Sequence, residues 1–183
     1  MAGISLVAVE SLPDVLGSWR YEFTATPSAT SDQTIVQALK LRCQQVDYSG
    51  VTVETVPVPL HGHEIQFRGR QTFSKTISTT FIETVDGAVM NTMWNWKEMV
   101  VGTRSGNGAY RSAYSALGAI AIIDTSGKVA MSQQIFYMFP TEIANVSLDG
   151  SSSSPMTVTI TWSYDFAVQN GITLDAYGQA ATV

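Results

Sequence analysis

The chain has 183 residues, with 45% hydrophobic and 14% charged side chains, a formal net charge of −5 and one cysteine, Cys43. That length suits one domain with a substantial core. The acidic balance excludes a protein that clamps phosphates with clustered Lys and Arg, a single thiol excludes an internal disulfide framework, and no stretch approaches the ~20 apolar residues of a membrane-spanning helix. Charge well below the roughly 25% usual for soluble domains, with Ser and Thr in its place, predicts a surface largely covered by self-assembly.

Met1 to Val9 is apolar but brief and lacks a basic flank, so it is not read as a signal peptide. Glu10 to Leu16 has room for one helical turn before Gly17. Trp19-Arg20-Tyr21-Glu22-Phe23 alternates as a first strand, and Thr26 to Thr34 reads as a Ser/Thr-rich loop. Ile35 to Gln44 alternates again, with Ile35, Gln37, Leu39, Leu41 and Cys43 on one face, predicting a second strand paired with the first. Val51 to Pro59 must be extended, because Pro57 and Pro59 remove ladder donors and forbid helix; two prolines confine it to an edge or to an arm leaving the body. Glu64 to Phe67 resumes a strand, between Gly62 and Gly69 as turns or bulges.

Gln71 to Glu83 is the longest predicted strand. Phe73, Lys75, Ile77, Thr79 and Phe81 fall on one face and Thr72, Ser74, Thr76, Ser78 and Thr80 on the other. Asp86 then reads as the N-cap of a helix in which Val89, Met93, Trp96 and Val100 recur at helical spacing, with Met90 and Trp94 alongside and Gly102 as the stop. A weaker helix covers Ala109 to Leu117. Ala119 to Asp124 and Val129 to Met138 form a strand pair about Thr125-Ser126-Gly127, Pro140 ends that run, and Ile143 to Leu148 makes a further short strand.

The clearest pattern comes late. From Thr157 to Phe166 every even position (Val158, Ile160, Trp162, Tyr164, Phe166) is large and apolar, and every odd one (Thr157, Thr159, Thr161, Ser163, Asp165) is small or acidic and polar. A period of two puts these on opposite faces of a sheet, one packed and one polar. The tail from Gln169 to Val183 has few anchors. About eight or nine strands with one solid helix predict two packed β-sheets, a sandwich or barrel with the helix at its side.

Chemistry is sparse. His61-Gly62-His63 with Glu64 is the one cluster resembling a metal site, but it has no third ligand nearby. Gly102 to Gly108 lacks the Gly-Lys-Ser/Thr ending of a phosphate loop. Arg68 and Arg70 suit paired charges at a subunit contact. No serine sits in a Gly-x-Ser-x-Gly elbow, and Cys43 reads as a small buried apolar residue. No enzyme, metal or cofactor is expected.

The order of features is more telling. Cys43-Gln44-Gln45-Val46-Asp47 precedes the extended Val51 to Pro59. Next come His61 to Phe67, Arg68-Gly69-Arg70-Gln71-Thr72-Phe73, the strand to Glu83, the helix with Trp94 and Trp96, and Ile135-Phe136-Tyr137-Met138-Phe139-Pro140-Thr141-Glu142-Ile143 before an Asp-Gly loop and the final alternating strand. From Trp19 to Val168 this resembles the tail tube proteins of contractile-tailed bacteriophages, relatives of the tubes of R-type pyocins, extracellular injection systems and type VI secretion. The loop Ala25 to Thr34 and the C-terminal tail are departures from that family's pattern, as is Asp47-Tyr48-Ser49-Gly50, where the family often has Leu-Pro-Gly.

The resemblance implies one tube-type domain over residues 1–168 with an extension over 169–183. It implies six-subunit rings closed into one large β-barrel and stacked into a hollow tube. Sheath, baseplate and tail terminator proteins would be partners, and DNA would pass through the lumen unbound. The place implied is the virion, assembled in the host cytoplasm. The arm of residues 50–69 would reach the next ring, making Val53, Glu54, Val56, Val58, His61, His63, Glu64, Arg68 and Arg70 the expected inter-ring contacts. Thr72, Ser74, Thr76, Ser78, Thr80, Thr157, Thr159, Thr161, Ser163 and Asp165 are the expected lumen lining. Competing readings are a tube-initiating baseplate protein, a tube delivering protein, a monomeric ligand-binding β-sandwich and an enzyme built on the histidines.

Overall fold

A computed structural model describes residues 16–27, 33–151, 153–170, 173–174 and 180–181. The helical turn expected at Glu10 to Leu16 lies, but for its last residue, outside them. Along the chain run β1 (Tyr21–Pro27), α1 (Gln33–Arg42), β2 (Cys43–Val46), β3 (Val51–Leu60), β4 (His63–Phe73), β5 (Thr76–Ile82), α2 (Ala88–Val100), α3 (Arg111–Tyr114), β6 (Ala116–Ile123), β7 (Val129–Ile143), β8 (Thr157–Ser163), β9 (Phe166–Asn170), β10 (Thr173–Leu174) and β11 (Ala180–Ala181).

Seven strands join in the order β1-β6-β7-β8-β5-β2, with β9 also on β7. All the pairs are antiparallel. The path folds into two layers because β7 serves both. Its first part pairs with β6 and β9, and Phe139 to Ile143 pairs with β8. Tyr137 marks the corner with φ 57°, a left-handed conformation uncommon outside glycine. Its effect is visible in burial: Gln133 and Ile135 point inward before it, Met138 and Pro140 after it, so the inward parity switches. Pro140 therefore does not end the strand. It stands at a register shift between Pro140 and Glu142, buried opposite Trp162, one of the few settings in which a sheet accepts proline. The strand expected from Ile143 to Leu148 ends at Ile143.

Between the layers lie Phe23 of β1, Phe81 of β5 and Trp162 of β8, with ring centroids 6.0 Å apart from Phe23 to each of the others. Trp96 of α2 meets Trp162 edge-on at 5.3 Å, a favoured aromatic geometry. Both indole N–H groups are satisfied: Trp96 donates to the carbonyl of Tyr114 at 2.7 Å and Trp162 to the hydroxyl of Thr79 at 2.8 Å. Val89, Met93 and Trp96 bury one face of α2, as their spacing predicts, while Trp94 is exposed. The N-terminal residue flanking α2 is Gly87, not Asp86. The orphan N–H groups of its first turn reach back to two carboxylates: Ala88 donates to Asp86 at 3.3 Å, and Val89 and Met90 donate to Glu83 at 3.2 and 2.6 Å. Arg42 pairs with Asp86 at 2.8 Å and holds that carboxyl well below its ordinary range.

The expected strand Ile35 to Gln44 is a correction. Residues 33–42 form α1, so a second helix flanks the sheets and β1 pairs with β6 instead. The segment alternates, but Val36, Leu39 and Cys43 also recur at helical spacing. Val36 and Leu39 are the buried ones, whereas Leu41 is 79% exposed. Two other strands are shorter than expected. Lys75, at φ 63°, separates β4 from β5. Tyr164 and Asp165 separate β8 from β9, so Phe166 leaves the core face for the other layer, where it stacks on Phe136 at 4.7 Å. The weaker helix shrinks to α3, since Ala116 already belongs to β6.

Candidate assembly surfaces

Two surfaces stand out, and the strand pattern builds both. The first is the outer face of the layer β2-β5-β8-β7. Alternation sends Ile77, Thr79, Phe81, Val158, Ile160 and Trp162 inward, so the remaining side chains face out in register. Thr76 stands opposite Ser163, Ser78 opposite Thr161, Thr80 opposite Thr159 and Ile82 opposite Thr157. The hydroxyls of Thr80 and Thr159 lie 3.2 Å apart. Gln45 of β2 extends the face beside Thr80, and Glu142 of β7 extends it beside Thr161. Apolar side chains, Ile82 and Phe139, occur only at the two ends of these ladders. The result is a hydroxyl-covered plane whose ladder positions include one carboxylate, Glu142, and no Lys or Arg; a second carboxylate, Asp47, accepts the Ser78 N–H at 3.2 Å just past β2.

Seven of the ten residues expected to line a lumen share this plane: Thr76, Ser78, Thr80, Thr157, Thr159, Thr161 and Ser163. Three do not. Thr72 belongs to the separate β3–β4 hairpin, Ser74 lies in the break before β5, and Asp165 lies past β8, ion-paired with Arg111. Arg111 in turn sits 4.7 Å over the ring of Tyr137. The interruptions at Lys75 and Tyr164-Asp165 are why a simple parity count fails at those three positions.

The second surface is the arm. Among the described residues β3 and β4 pair only with each other, and nearly all of their residues are exposed. His61 and Gly62, at φ 48° and 84°, turn the tip, both left-handed as a tight hairpin turn requires. Pro57 stands opposite Gln66 and Pro59 opposite Glu64. A proline cannot donate, so these are the non-hydrogen-bonded pairs, whose backbone groups point away from the partner strand. The outer edge of β3 therefore lacks two donors, while that of β4 keeps the N–H groups of Glu64 and Gln66. A bulge opposite Glu54 brings Gly69 so close to the Glu54 carbonyl that a Cβ there would sit 2.9 Å from its oxygen, which explains glycine at that position.

All nine expected contact residues lie on this hairpin, but not on one face. Val56, Val58 and His63 share a side with Leu60, Ile65 and Phe67, whereas Thr55, Glu64 and Arg68 share the other. Val56, Leu60, Ile65 and Phe67 are each 44–52% exposed. Burying such a side chain fully is worth about 1.5–3 kcal/mol, so this stripe is a substantial unspent driving force. Leu60, Ile65 and Phe67 escaped the sequence reading, although pairing the alternation of the two strands about His61-Gly62 finds them.

Also missed was the brace at the arm's root. The Tyr164 hydroxyl bonds those of Ser49, just before β3, and Ser74, just after β4. The side chain of Gln133 accepts from the Ser49 N–H at 3.0 Å and donates to its carbonyl at 3.1 Å. Both ends of a free-standing hairpin are thus tied to the core. Elsewhere, burial pushes the Cys43 thiol up to about 11, making it a poor nucleophile. Among the described residues no three His, Cys, Asp or Glu side chains form a metal-holding group, and no helix is long and apolar enough to cross a membrane.

Comparison with known proteins adds a family and a fold. The profile of the family described as phage tail tube protein matches residues 8–168. A chain in the cryo-EM structure of an extracellular contractile injection system, the PVC sheath-tube complex in its extended state, superposes with a TM-score of 0.62 at 14% identity, covering 92% of this chain and 99% of that one. A chain of the PVC sheath/tube terminator gives 0.64 at 13% identity, with 88% and 100% covered. One of the 6-fold symmetrised baseplate of the anti-feeding prophage gives 0.64 at 12%, with 90% and 99% covered. At these identities the likeness is one of fold. A search of curated proteins finds no match.

Proposed function

The chain belongs to the phage tail tube protein family, and we propose that it is the repeating subunit of a phage tail tube. In this reading six copies close into a ring whose hydroxyl-faced layers join as one barrel around the channel. Rings stack within a contractile sheath, between a baseplate and a terminator, and the bore conducts the genome. Closure gives each open sheet edge a partner, which removes the hazard of exposed ladders. The similar chains from sheath-tube, terminator and 6-fold symmetrised baseplate structures support this assembly.

The observation that carries the reading is the hydroxyl plane of Ser78, Thr80, Thr159 and Thr161, flanked by Gln45 and Glu142. DNA binds protein largely through its phosphates, by releasing counterions to Lys and Arg. A wall of hydroxyls with two carboxylates per chain, Asp47 and Glu142, offers neither a cation to hold the phosphates nor an apolar patch to hold the bases. Its function is passage without adhesion. The arm, with its apolar stripe, bridges successive rings.

Cryo-EM of the concentrated protein tests this. The expected result is a hollow tube of stacked rings with Thr80, Thr159 and Thr161 facing the bore. A monomer that persists at high concentration overturns it, and a tube lined by the layer of β1, β6, the first part of β7 and β9 overturns the lumen assignment. In assembled particles Thr80→Lys is expected to slow genome release while leaving tube length unchanged.

A further inference from the structure

We propose that the open cleft between residues 144–150 and residues 154–159 is the seat for the arm tip of a second copy of this chain. This rests on the tube reading above and names the contact by which copies stack.

Three features carry it. The first is placement. β5 and β8 are antiparallel, with Thr76 opposite Ser163 at one end and Ile82 opposite Thr157 at the other. The arm leaves the layer beside Thr76, through Ser74 and Lys75. The cleft lies at the Thr157 end, where Ala144 donates to Thr159 and Glu83 to Met156. Arm and cleft thus occupy opposite ends of one layer, the arrangement a head-to-tail contact requires if it is to propagate rather than pair off as a closed dimer. β3 has ten residues, a reach of about 33 Å, enough to cross a junction between stacked copies.

The second is size and surface. The cleft encloses about 640 Å³, within the roughly 300–1,000 Å³ of sites that hold compact ligands. Val146, Leu148 and Met156 line it, with Leu148 80% and Met156 37% exposed. The arm tip offers Leu60 and, behind it on the same side, Val58 and Ile65. The third is a hydrogen-bond acceptor facing a donor. Asp149 lines the cleft and no Lys or Arg does. The Ser151 N–H and hydroxyl bond that carboxylate and keep it below its ordinary range, so it is ionised at neutral pH. His63 sits opposite Leu60 and its ring N–H can donate to such an anion.

The test uses the full chain with Cys43→Ser, carrying Leu60→Cys and Leu148→Cys together. Treating its tubes with a short bis-maleimide is expected to give a ladder of linked chains, because each copy carries one donor and one acceptor; each single variant stays monomeric on the gel. Should the paired cysteines impair assembly, a charge exchange reads the same contact: His63→Glu is expected to shorten tubes several-fold, and adding Asp149→Lys to restore them. Intact tubes without a ladder, or no restoration by the exchange, overturn the seat and leave the tube reading standing. A wild-type protein that forms neither rings nor tubes overturns both.

Discussion

The hydroxyl of Tyr164 stands 2.8 Å from that of Ser74, and through this contact the core holds the root of an otherwise free hairpin. Tyr164 follows β8 and is 2% exposed. Its hydroxyl also meets Ser49, the residue from which the chain sets out toward β3. Among the described residues β3 and β4 pair with no other strand, so these bonds and those of Gln133 to Ser49 tie down the root of the hairpin.

Tyr164→Phe keeps the ring and removes both bonds. Leaving the buried Ser49 hydroxyl without its partner is expected to cost about 1–3 kcal/mol. Urea unfolding measures that loss, and hydrogen exchange at residues 49–53 is expected to speed up first; unchanged exchange there would dissociate Tyr164 from the arm.

Thr79 is a hydroxyl on the apolar side of β5, 1% exposed, and accepts the Trp162 indole N–H at 2.8 Å. Thr79→Val preserves shape but strands that donor, so a loss of about 1–3 kcal/mol is expected by chemical denaturation. Ser78→Val, on the hydroxyl face, strands no buried donor and is expected to shift the same midpoint far less.

Trp162 is wholly buried between Phe23 and Trp96. Trp162→Ala opens a cavity that the surrounding rings cannot close, with an expected cost of about 3–5 kcal/mol. A midpoint near wild type would mean that β8 carries its faces the other way round.

Replacing residues 54–70 by an Asn-Gly turn joins Val53 to Gln71, which already stand opposite each other, with the two-residue loop that hairpins favour. Because the arm pairs with no other described strand, the melting temperature is expected to stay within a few degrees of wild type. Electron microscopy is expected to find rings or monomers and no tubes; long tubes from the trimmed chain would remove the arm from the stacking contact.

With its thiol raised to about 11 by burial, Cys43 stays protonated near neutrality and the reactive thiolate is scarce. Reaction with a disulfide reagent is expected to be slow at pH 8, to accelerate toward pH 11, and to reach the free-thiol rate at pH 8 once the chain is unfolded. A fast reaction in the folded protein at pH 8 would contradict the burial.

What the sequence by itself determined is whatever local periodicity encodes without ambiguity. Val158, Ile160 and Trp162 alternate with Thr157, Thr159, Thr161 and Ser163, and a period of two assigns them to opposite faces whatever else packs nearby. Val89, Met93 and Trp96 likewise mark one face of α2, and Pro57 and Pro59 exclude β3 from the interior of a sheet. Tertiary structure decided the rest, because several segments satisfy two local solutions. Val36, Leu39 and Leu41 fit a strand or a helix until burial takes Val36 and Leu39 and leaves Leu41 outside. Lys75 and Tyr137 enter left-handed conformations that their residue types disfavour. They do so where a strand must leave its layer or change it, and that geometry comes from packing two sheets around Phe23, Phe81 and Trp162.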